Sequence, residues 1–111
     1  MKIVLGALLV AACATDPVEI DPALCPESGT PLTYDNFGAG FMADNCNRCH
    51  SEAKSGAPRA FNFDTVEAVR DHADRIFARA AADNVSMPPG PDDPPPAERE
   101  QLAEWLACGA P

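Results

Sequence analysis

Basic residues are scarce in this chain. Eight Lys and Arg stand against 17 Asp and Glu, a formal charge of −9 over 111 residues. That balance denies a nucleic-acid backbone the cationic stripe it needs and favours a partner with a basic face. Histidine is nearly absent, with only His50 and His72, and no group looks arranged for acid or base catalysis. Long apolar runs are missing as well. The stretch from Ile3 to Val10 falls well short of the roughly 20 residues a spanning helix requires. At this length the chain holds one domain at most, with a core small enough to gain from a bound group.

What is present begins with an export pattern. Met1-Lys2 is a short basic n-region ahead of the apolar run, so residues 1–12 read as a signal peptide. Val10-Ala11-Ala12-Cys13 resembles a bacterial lipoprotein cleavage box, in which Cys13 is acylated and becomes the mature N-terminus. Ordinary cleavage after Ala14 is the alternative; it would discard Cys13 and release a soluble protein. Both routes deliver the domain to the bacterial periplasm or cell envelope, and the first tethers it to a membrane. Loss of Lys2 makes the mature chain one unit more negative.

Cys46-Asn47-Arg48-Cys49-His50 carries the chemistry. It reads C-x-x-C-H, the attachment site for a c-type haem. Two thiols three positions apart on one helical turn can each add across a vinyl group of the porphyrin, and the histidine that follows can reach the iron. C-x-x-C also serves zinc sites and thiol redox centres. Of the five cysteines, setting aside Cys13 and the motif pair leaves Cys25 and Cys108, which an exported protein is expected to join. Such a bridge closes a loop long enough for about 4 kcal/mol on the chain-entropy model.

Pro17, Pro22, Pro26 and Pro31 interrupt an acidic stretch, so residues 13–33 read as a tether pinned at Cys25. From Tyr34 the pattern turns helical. Phe37 and Phe41 are four apart, as are Gly38, Met42 and Cys46, which places the motif at a helix end. Gly38 lets another helix approach closely. A loop over residues 51–63 holds Pro58, Phe61 and Phe63. Asp64 is expected to cap a second helix, with Glu67 completing a capping box. Val66, Val69, Ala73, Ile76, Phe77 and Ala80 would be buried along one face as far as about Ala82. Arg70, Asp71, Asp74 and Arg79 lie largely off that stripe on a solvated face.

Met87-Pro88-Pro89-Gly90 opens a run that continues with Pro91, Pro94, Pro95 and Pro96. So much proline forbids helix or central strand and makes a stiff loop, suited to hold a thioether in place. A last helix starts near Pro96, buries Leu102, Trp105 and Leu106, and stops at Gly109 and Pro111. Met87 is the candidate sixth iron ligand by elimination, because Met1 leaves with the leader and Met42 sits in the helix before the motif. His72 is the competing candidate, against a partly exposed helix histidine.

In this order, the helix ending in Cys46-x-x-Cys49-His50, the Met87-Pro88-Pro89 loop and the closing Leu102-x-x-Trp105-Leu106 helix resemble a small mono-haem class I cytochrome c over residues 34–111. The resemblance implies an all-α fold of three to four short helices around one covalently bound haem. It implies that the first and last helices cross at Gly38 and Trp105, and that an early loop proline, here Pro58, supports the proximal histidine. The family usually has an aromatic residue where this chain has Met42; either the helix is rotated toward Phe41 or Met42 takes the place.

The functional expectation is a monomeric electron carrier rather than an enzyme. It holds one haem c through Cys46 and Cys49, with His50 and Met87 as axial ligands, so that both open iron positions are filled. Arg75 and Arg79 are candidates to neutralise haem propionates, although a solvated face explains them as well. A redox protein with a basic docking surface is the expected partner, and binding to it should weaken as salt rises. A haem sensor or peroxidase with a displaceable Met87 is the main rival. Two further rivals do without haem: a zinc module built on Cys25, Cys46, Cys49 and Cys108, and a thiol oxidoreductase centred on Cys46 and Cys49.

Overall fold

A computed structural model of the chain describes residues 19–51, 53, 56, 57, 59–91 and 93–111. The expected leader over residues 1–12, Cys13 and Pro58 lie outside them. Four α-helices form the frame: α1 (Ala39–Asn45), α2 (Val66–Asp71), α3 (Ala73–Ala80) and α4 (Pro96–Ala107). Among the described residues there is no strand, and no helix is long and apolar enough to cross a membrane.

The chain enters α1 through a wide π turn, Tyr34–Gly38. Thr33 starts it: its Oγ1 accepts from the Asn36 N–H at 3.1 Å while Asn36 Oδ1 accepts from the Thr33 N–H at 2.7 Å. This reciprocal cap, worth about 1 kcal/mol, went unread in the sequence. The extra residue of a π turn rotates the helix that follows, and Phe41 and Met42 are both buried. Met42 thus takes a core place and Phe41 joins an aromatic cluster, with Phe37 at 5.6 Å from Phe41 and edge-on to Trp105 at 6.0 Å.

Gly38 lies against the Trp105 indole. A Cβ at this position would stand 2.5 Å from Cη2, so only a hydrogen fits between the two helices. On α4, Pro96 occupies the first turn, where its missing N–H costs nothing, and Arg99, Leu102, Ala103, Trp105 and Leu106 are buried. Gly109, at φ +87°, reverses the chain so that the Ala110 N–H returns to the Trp105 carbonyl at 2.9 Å.

The expected single helix from Asp64 to Ala82 is two helices. Thr65, not Asp64, is the cap, its Oγ1 accepting from the Ala68 N–H at 3.1 Å. The break falls at His72, at φ −112° and ψ 16°. There the imidazole packs on Phe61 and Phe63, at 5.0 and 5.9 Å between centroids, a contact that sequence periodicity does not register. Helix α3 ends at Ala80 because Ala81 is extended and Ala82 takes φ +53°.

The segment expected to be a tether as far as residue 33 is instead docked from Ile20 onward. Ile20 and Leu32 pack on the core, and Thr30 Oγ1 donates to Glu104 Oε2 at 2.8 Å. Cys25 and Cys108 form a disulfide across 83 positions. On loop length, replacing both with serine should lower stability by about 4 kcal/mol. Guanidinium unfolding of the two proteins measures this, and an unmoved midpoint would show that the bridge adds nothing.

Candidate functional site

Helix α1 stops at Asn45, one residue before the Cys46-x-x-Cys49-His50 motif. The Cys46 carbonyl then accepts from the N–H groups of Cys49 and His50 at 3.1 and 2.9 Å. A tight turn therefore carries the motif. It brings Cys46 and His50 to the lining of a cavity of about 380 Å³, which Met87 also lines. Cofactor sites commonly run from ~300 to 1,000 Å³ and are mostly apolar; Phe61, Phe63, Ile76 and Pro88 supply that character here. Cys49 is exposed and lines an adjoining hollow with Pro88 to Pro91. A Cβ on Gly56 would lie 2.9 Å from the Cys49 Cβ, so Gly56 itself packs closely against this side chain.

His50 is fixed at both backbone and ring. Its carbonyl accepts from the Phe63 N–H at 2.7 Å, its Nδ1 is 2.7 Å from the Phe61 carbonyl, and its ring stacks on Phe63 at 4.6 Å. A carbonyl can only accept, so Nδ1 carries the proton and Nε2 keeps the lone pair. This is the tautomer a metal ligand needs, with the outer partner already in place.

Met87 is 42% exposed, yet its backbone is fastened to the end of α3. The last carbonyls of a helix lack partners within it, and the loop supplies them. The Met87 N–H donates to the Arg79 carbonyl at 2.8 Å, and Asn84 Nδ2 donates to the Phe77 carbonyl at 3.0 Å. Arg99 completes the set. It is 2% exposed, and its Nη1 donates to the carbonyls of Ala80, Asn84 and Met87 at 2.9, 3.2 and 2.7 Å. Sequence reasoning missed Arg99. The available signal was its position three before Leu102, which puts a charged residue on the buried stripe of α4.

Arg75 and Arg79 are exposed, as expected of a solvated face, but both also line the cavity. His72 does not line it and packs on Phe61 and Phe63.

The donor set suits a haem. Two unpaired thiols adjoin an apolar cavity that also receives a histidine in its ligand tautomer and a thioether. Four-cysteine zinc binding is overturned, because Cys25 and Cys108 are bonded to each other. Among the described residues no group of three or more His, Cys, Asp or Glu could hold a metal ion. Burial pushes the Cys46 thiol up to about 12, outweighing the opposing charges of Arg48 and Arg99. Burial thus disfavours a thiolate at Cys46, the form that disulfide exchange from that position would require.

Comparison with curated proteins and with solved structures gave no match. The family model described as cytochrome C oxidase, cbb3-type, subunit III matches residues 36–106, a span that runs from the π turn into the last turn of α4 and contains Cys46, Cys49, His50 and Met87. The chain therefore belongs to this family and is a small c-type cytochrome.

Proposed function

We propose that the protein carries electrons on one haem c, held covalently by Cys46 and Cys49 and ligated by His50 and Met87. The observation behind this reading is the apolar cavity onto which Cys46, His50 and Met87 converge. When bound there, the haem supplies a one-electron couple at its iron. The residues around it do the rest. His50 presents Nε2 while Phe61 and Phe63 hold its ring. Met87, on the lining of the same cavity, would supply the second ligand and so withhold the iron from oxygen or peroxide. Its thioether, with a largely apolar lining, favours the reduced state and raises the potential. Arg75 and Arg79, exposed at the cavity lining, would offer compensating charge to propionates.

The exposure of Met87 is what favours the rival reading, a sensor or peroxidase with a displaceable ligand. The hydrogen bonds that fasten the Met87 backbone on both sides favour the carrier. In the same reading Cys13 supplies a lipid anchor, the domain works in the periplasm near a membrane, and its acidic surface meets a basic redox partner.

The visible spectrum of protein matured with haem-attachment machinery tests the proposal. Sharp bands on reduction, pigment retained after denaturation, and the weak far-red ferric band of methionine ligation are expected. Colourless or dissociable preparations would refute covalent haem. A pigmented protein without the far-red band would point to the sensor.

A further inference from the structure

We infer that Arg99 is the positioning residue for the distal ligand: from α4, a helix with no ligand of its own, it sets where the Met87 thioether stands. The inference rests on the proposed ligation by Met87. Arg99 is an expensive residue to bury. A guanidinium loses strong hydration in a site that is 2% exposed, and among the described residues its Nη2 has no hydrogen-bond partner. A merely structural role on this helix face would be filled more cheaply by an apolar side chain like Leu102 and Leu106 beside it.

What the charge obtains is specific. Nη1 gathers the carbonyls of Ala80, Asn84 and Met87, which are the end of α3, the middle of the following loop and the ligand residue itself. The Arg99 carbonyl accepts from the Ala82 N–H at 3.0 Å, so the same residue ties down both the start and the end of residues 81–87. The Met87 carbonyl, 2.7 Å from the guanidinium, is the shortest of the three contacts. Met87 is held at its N–H by α3 and at its carbonyl by α4. A partly exposed methionine on an otherwise irregular loop thereby acquires a fixed backbone. A cation at the C-terminal end of α3 also complements that helix's dipole.

The experiment compares haem-loaded wild-type protein with Arg99→Met and Arg99→Lys. It reads the far-red ferric band and the affinity of the ferric protein for imidazole, a competitor for the Met87 position, at temperatures where far-UV helicity matches wild type. Losing a charge-assisted hydrogen bond to the Met87 carbonyl should let imidazole bind about tenfold tighter or more in Arg99→Met. Arg99→Lys retains a charge and a donor and should lie between that variant and wild type. Should Arg99→Met fail to fold, Arg99→Lys decides by the same measure. Unchanged imidazole affinity in the folded variants, or a band that disappears only together with helicity, overturns the inference. Absence of the band from wild-type protein overturns the Met87 assignment instead, and is a different result from a band that persists in the variants.

Discussion

Protein in which Cys46 and Cys49 are both replaced by alanine should lose all pigment on a denaturing gel, where wild type retains about one haem per chain. The expected change is all-or-none, because among the described residues no other free thiol adjoins the cavity and Cys25 and Cys108 are consumed by their disulfide. The single variants should differ from the double. Each keeps one attachment point, so pigment should survive denaturation at reduced yield. Cys46, half-buried on the cavity lining, should matter more for the native spectrum than the exposed Cys49. Helicity should also fall in the double variant. Phe61, Phe63 and Ile76 line the cavity, and a small domain gains a large share of its burial from whatever fills such a space. Pigment that remained bound through denaturation in the double variant would rule out attachment at these positions.

Met87→Ala should give the second large effect. The far-red ferric band should vanish, and the reduction potential should fall by roughly 0.2 V, a fraction of the ~0.8 V that axial-ligand identity spans. Imidazole should bind the ferric protein readily, and peroxide turnover should appear where wild type shows little. Stability should change far less than function, since the residue is 42% exposed and its hydrogen bonds come from its backbone. A variant that kept the far-red band would exclude Met87 as the ligand and turn attention to another donor. The same measurement on Arg99→Met separates loss of the thioether from loss of its positioning, because in that variant the sulfur is still present.

Much of the candidate site could be proposed one residue at a time. The spacing of Cys46, Cys49 and His50 is a chemical requirement written locally, and the proline run after Met87 announces a stiff loop whatever it packs against. Gly38 and Trp105 were legible only through the resemblance, since nothing local says that residues so far apart meet. Arg99 was not legible as a functional residue. A lone arginine on a helix is ordinarily solvated, and only the loop's arrival at three carbonyls gives it a task. The helix break at His72 was equally hidden, because the apolar spacing continues straight through it while the aromatic contacts that accompany it come from the preceding loop.

The sequence by itself determined the C-x-x-C-H spacing and the order of helix, methionine loop and closing helix, and its resemblance to small cytochromes implied the all-α fold. The spacing and the order follow from periodicity, proline and covalent chemistry, each acting within a few residues. Tertiary structure alone decided that the segment from Ile20 is docked rather than free, that His50 Nδ1 meets the Phe61 carbonyl, and that a buried cation on α4 hydrogen-bonds to carbonyls of the methionine loop. Each of those depends on a carbonyl or a side chain brought in from a distant part of the chain. Burial favours such partners strongly, because an unpaired polar group in the core costs about 1–3 kcal/mol.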